Sequence, residues 1–138
     1  MKLVIIAGCW LIAMASAWAQ PVELTFTVRF ADCSAELNPS GKKTLDDVAT
    51  VLKLKPRNAA RITGHTAGLE AADNADSTQK LSELRAFACA AYLRSKGVVA
   101  DRVFTSAQAY RQPVAPNDSE QGRARNRRTV VEVVQSEE

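Results

Sequence analysis

The sequence is poor in metal ligands. It has one histidine, His65, and three cysteines with no Cys/His cluster, so no metal centre and no cofactor are expected. A phosphate-cradling loop is lacking as well. Gly64-His65-Thr66-Ala67-Gly68 has neither the spacing nor the lysine of such a loop. Neither sign of charge dominates, because 18 Lys and Arg against 15 Asp and Glu leave a formal +3. That balance demands no nucleic-acid partner, and the run Arg123, Arg125, Arg127, Arg128 reads as a solvated face. There are no internal repeats and no low-complexity stretches. No serine or cysteine lies near His65 in sequence, although Cys33 could approach it in space. A lone histidine at a strand end is more often a structural hydrogen-bonder, so no enzyme is expected.

One long apolar run exists, Leu3 to Ala17, after the minimal positive start Met1-Lys2. It falls short of the roughly 20 residues that a spanning helix needs. Ala17-Trp18-Ala19 supplies the small-x-small pattern of signal peptidase cleavage, so residues 1–19 read as a signal peptide and Gln20 as the new N-terminus. Two alternatives are an uncleaved anchor and lipidation at Cys9 after Ile6-Ala7-Gly8. The apolar segment continues past Cys9, which argues against lipidation. The remaining residues, 20–138, suit one domain with one core. The expected location is the periplasm, free or associated with the outer membrane or wall, with no stable membrane span after cleavage.

Val22, Leu24, Phe26, Val28 and Phe30 alternate with polar residues, the period of a half-buried strand. Asn38-Pro39 opens a helix whose stripe is Leu45, Val48, Ala49 and Leu52, ending at Lys55 ahead of Pro56. A second strand is expected over 59–66. Asp76-Ser77-Thr78-Gln79 resembles a capping sequence for a second helix with the stripe Leu81, Leu84, Ala88 and Tyr92, stopped at Gly97. A third strand over 103–110, a short helical piece over 119–126 and a closing strand over 129–134 complete the order. The fold class is α/β, an α+β sandwich in which two crossovers feed one sheet and the helices pack on one face.

Arg85 falls inside the second helix's apolar stripe, four residues after Leu81 and three before Ala88. A guanidinium unpaired near a core costs several kcal/mol, so it must meet a carboxylate. Two readings stay open, an internal Asp or Glu, or a ligand carboxylate that suits the planar fork.

Phe30 with Ala35-Glu36-Leu37, Ile62-Thr63-Gly64-His65-Thr66, Leu81-Ser82-x-x-Arg85-Ala86, Tyr92-Leu93, Lys96-Gly97-Val98, Arg102, Gln112-Pro113-Val114, Asn117-Asp118 and Gly122-Arg123-Ala124-x-Asn126-Arg127-Arg128 form an ordered set. It resembles the OmpA-like peptidoglycan-binding domains over nearly all of residues 20–138. The resemblance implies a βαβαβ-type mixed sheet and noncovalent binding to a peptidoglycan stem peptide. It places Arg85 as the grip on the diaminopimelate carboxylate. Thr66, Ala67, Cys33 and Arg127 fall at matching motif positions and are expected to bind ligand, Cys33 through its backbone. The family's ammonium-binding aspartate is replaced here by Ala67. The loop that follows is longer and acidic, so Asp73 or Asp76, less readily Glu70, would return a carboxylate to that ammonium. For Asp76 the plainer role is a helix cap. The resemblance puts Cys33 in the loop bordering the expected pocket, and Cys89 follows Arg85 by one turn, which leaves two readings open: a disulfide between them, or Cys89 as simply a small core residue. The alternative function is a changed pocket on a kept fold, docking an envelope protein.

Overall fold

The computed structural model describes residues 21–68, 70 and 74–135. The expected signal peptide, the Cys9 alternative and Asp73 lie outside the described residues. The elements follow in the order β1 (Val22–Arg29), α1 (Pro39–Leu54), β2 (Asn58–His65), α2 (Ala75–Ser95), a single 3-10 turn (Ala100–Arg102), β3 (Val103–Ala109), α3 (Glu120–Asn126) and β4 (Arg128–Gln135).

The strands form one mixed sheet in the order β1-β4-β2-β3. β4 runs antiparallel between β1 and β2, and β3 lies parallel to β2 at the far edge. β1, β2 and β3 therefore point the same way, and their C-terminal ends meet on one rim. The expected α/β class with helices on one face is what the chain adopts. α1 and α2 share a single core with the sheet, built from Leu45, Val48, Leu52, Leu93, Ile62 and Val131, all fully buried. Burying each large aliphatic side chain contributes about 1.5–3 kcal/mol. The alternation along β1 is present, but Val22 and Leu24 are each 42% exposed and burial begins only toward Val28 and Phe30.

α1 starts and stops where its sequence dictates. The Asn38 side chain accepts from the Gly41 amide at 2.7 Å, Pro39 occupies the first turn, and Lys55 caps the end. Its last carbonyls are taken by Arg102, which donates to Leu52 at 2.7 Å and Lys55 at 2.9 Å.

α2 departs from expectation twice. Its N-cap is Asn74, whose side chain accepts from the amides of Asp76 and Ser77, so Asp76 lies in the first turn and is not the cap. Its buried face carries Thr78, Leu81, Ser82, Arg85, Ala86, Cys89, Ala90 and Leu93, while Leu84 is 47% exposed. The cause is proximity. A Cβ on Gly64 of β2 would sit 1.9 Å from the Ser82 carbonyl oxygen, so at this level the helix backbone lies against the strand and the face turned to it carries the small residues Ser82 and Ala86. Small side chains are interleaved with Leu81 and Leu93 on the packed face, and hydrophobicity alone misassigns it. The helix ends as expected at Gly97 (φ +93°), where the Val98 amide bonds back to the Leu93 carbonyl and both side chains are buried.

Candidate functional site

The close approach of α2 to β2 delivers Arg85 to the rim where β1 and β2 end. Its side chain is wholly buried, and its guanidinium carbon stands 5.3 Å from the centre of the Phe30 ring. All five N–H donors are engaged. Nε donates to the Ser34 carbonyl at 2.8 Å, one Nη1 bond goes to His65 O at 3.0 Å, and one Nη2 bond goes to Ala31 O at 3.1 Å. The remaining two form a fork onto the Glu70 carboxylate, Nη1 to Oε2 at 2.9 Å and Nη2 to Oε1 at 2.5 Å.

Glu70 accepts two further bonds, from the Ala67 amide at 3.0 Å and the Cys33 amide at 2.8 Å. Its side chain is only 2% exposed. Burial opposes ionisation of the carboxyl, but the Arg85 hydrogen bonds and the Ala67 and Cys33 amides outweigh it and hold Glu70 below its ordinary value. Four N–H groups from three parts of the chain thus converge on one carboxylate.

Glu70 reverses the role expected of this loop. The carboxylate that returns from it sits on the guanidinium, where the resemblance places a ligand carboxylate, and not at an ammonium position. Of the two partners left open for Arg85, the chain supplies the internal one. Asp76 is exposed at the start of α2 and does not line the adjoining cleft. Ala67 and Cys33 do meet at the site, through their backbones. Thr66 is buried, with its hydroxyl on Gly68 O at 3.2 Å and its amide on Ala109 O at 2.8 Å. Arg127 borders the site, with Nε on Phe30 O at 3.2 Å and Nη2 on Glu120 at 2.7 Å.

Of the two readings for the cysteines, the structure has the one without a disulfide. Cys33 is exposed in the first loop at φ +52°, its thiol against the Glu70 carbonyl, while Cys89 is buried in the core and both are free. One thiol belongs to the rim and the other to the helix–sheet interior, so no bond joins them. Burial pushes the Cys89 thiol up to about 12. Desolvation, and then Asp32, also raise the Cys33 thiol, which disfavours its thiolate. Burial, with Arg128 adding repulsion, lowers His65 to about 4, so it is neutral at physiological pH. This pair is badly set for nucleophilic chemistry.

Outside Glu70 opens a cleft of about 320 Å³ bordered by Asp32, Ala67, Asn117, Glu120 and Arg123. Sequence reading missed Asn117, Glu120 and Asp32 as wall residues. The available signal was Asn126 in the last motif. Fully buried, it accepts from the Val114 and Ala115 amides and donates to Ala115 O and the Asn117 side chain, so it fixes the loop that forms one wall. Among the described residues no group of three or more His, Cys, Asp or Glu could hold a metal, and no helix is long and apolar enough to cross a membrane.

The chain is 36% identical over 104 residues to a probable lipoprotein, YiaD, of Escherichia coli, covering 75% of this chain and 46% of the relative. It is 36% identical over 110 residues to the peptidoglycan-binding protein ArfA of Mycobacterium tuberculosis, covering 78% of this chain and 31% of that one. The match therefore spans less than half the length of either relative. Among solved structures, the cell wall anchor of the T6SS from Pseudomonas aeruginosa superposes with a TM-score of 0.68 at 30% identity, covering 88% of this chain and 90% of the other. The family model for the OmpA family matches residues 29–127, and this chain belongs to that family.

Proposed function

We propose that this domain binds peptidoglycan noncovalently through the diaminopimelate of the stem peptide, and catalyses no reaction. The observation that carries the reading is the carboxylate receptor formed by the Arg85 fork and the amides of Ala67 and Cys33, set beside an open cleft. Such a receptor fits a planar carboxylate and leaves the rest of the ligand to the cleft, whose Asp32 carboxylate suits an ammonium group. The names of its relatives, a peptidoglycan-binding protein and a cell wall anchor, support the same reading. Residues 20–138 would act as one OmpA-like domain after removal of residues 1–19, in the periplasm and at the wall or outer membrane. Co-sedimentation with purified sacculi tests this. Wild type should pellet and Arg85→Ala should remain in solution, while wild type that stays soluble refutes the proposal.

A second reading has one specific observation behind it. Glu70 already saturates Arg85, as it would in a domain that kept the fold and docks an envelope protein instead. Crosslinking in the periplasm to a defined protein, with no sacculus retention, would favour that alternative.

A further inference from the structure

Resting on the reading of this cleft as a stem-peptide site, we propose that Glu70 is a built-in occupant of the carboxylate receptor, which a ligand carboxylate must displace to enter. The receptor does not depend on Glu70 for its shape. Three of the five guanidinium donors are anchored to the backbone carbonyls of Ala31, Ser34 and His65, which fix the plane of the fork. The other two point at Glu70.

The Ala67 amide is likewise placed by the frame, and the Cys33 amide by the turn in which the Ser34 amide donates to the Ala31 carbonyl, both ends of it held by Arg85. Ala67 follows β2 directly, and Thr66 before it is pinned to Ala109. Cys33 holds its amide toward the site from the left-handed region, at φ +52°, a conformation that a non-glycine side chain adopts at some cost. The two amides satisfy the lone pairs that the fork leaves free, which a buried carboxylate requires, whichever carboxylate it is. Four donors on two oxygens are the full complement for recognising a carboxylate.

Glu70 stands only three residues from Ala67, so the tether gives it a high effective concentration at the receptor. A stem-peptide carboxylate competes against that local concentration, and its apparent affinity falls by the fraction of time the receptor is vacant. The pair is thereby self-inhibiting, and the binding strength of the domain is set by Glu70 as much as by Arg85.

Thermal unfolding of the purified protein in sodium acetate against sodium chloride, at equal ionic strength, tests this with acetate as the probe. In Glu70→Ala the emptied receptor should take acetate, raising the melting temperature by about 5 °C at roughly ten times its Kd, while wild type shows no acetate-specific gain. If Glu70→Ala does not fold in chloride, restoration of folding by acetate is the supporting result. Glu70→Gln keeps the side-chain volume and gives up the charge, and its retention on sacculi should rise roughly tenfold over wild type. Equal retention of wild type and Glu70→Gln, with no acetate gain in Glu70→Ala, overturns the proposal and leaves wall binding standing. An acetate gain with no variant retained on sacculi supports displacement of Glu70 and refutes the stem-peptide reading.

Discussion

Two arginine–carboxylate pairs flank the same cleft, and they differ in almost every respect. Arg85 and Glu70 have side-chain exposures of 0% and 2%, with the guanidinium saturated and the carboxylate receiving four donors. Arg127 is 8% exposed but its partner Glu120 is 65% exposed and shared with Arg123. In the first pair each charge is compensated only by the protein, so losing one strands the other. In the second, the Glu120 carboxylate is already solvated, so its removal costs little. Similar 2.5–2.7 Å contacts therefore have different consequences, because burial and not distance sets the cost.

The sharpest way to break the contrast is Arg85→Ala. It should lower stability by about 3–5 kcal/mol by urea denaturation, because Glu70 and three carbonyls lose their partner. A loss below about 1 kcal/mol would mean that solvent reaches the pair.

Acid separates the pairs next. Glu70 is held below its ordinary value, so its stabilisation is complete above the unfolded glutamate value of about 4.3 and is lost as pH falls through the lower folded value. Urea midpoints measured from pH 6 downward should drop below about pH 4, and Glu70→Gln should flatten that drop. Glu120→Gln should leave it in place.

Gly64→Ala acts on the frame. Its methyl group meets the Ser82 carbonyl, pushes α2 from β2 and shifts Arg85 from His65 O, for an expected loss of about 1–3 kcal/mol. Unchanged stability would show that the helix can slide without cost. Smallest of all should be Glu120→Ala, whose melting temperature is expected to match wild type by scanning calorimetry.

Legibility in the sequence followed the range of the interaction. α1 was readable at both ends because Asn38-Pro39 and Lys55-Pro56 act within a turn. The strands were readable to within one or two residues because alternation is local. α2 was misread at its start, since Asn74 and Asp76 are both competent caps and only the backbone path selects between them. Its buried face was misread because the sheet approaches so closely at Gly64 that Ser82, Ala86 and Ala90 pack better than Leu84. Arg85 was legible as a charge on an apolar stripe that must be paired. Glu70 was not, because nothing in periodicity says that a loop carboxylate will fold back fifteen positions onto that stripe. The choice between the two cysteine readings was illegible for the same reason, as a loop bordering the pocket and a position one turn past Arg85 do not say on which side of its wall each thiol lies.

Nuclear magnetic resonance of the protein titrated with a soluble diaminopimelate stem peptide tests the central claim most directly. The account predicts saturable shifts of the Arg85 Nη–H groups and of the Ala67 and Cys33 amides, the donors that frame the carboxylate, with larger shifts per ligand added in Glu70→Gln than in wild type. Shifts confined to other surfaces, or none at these three groups in either protein, would contradict it.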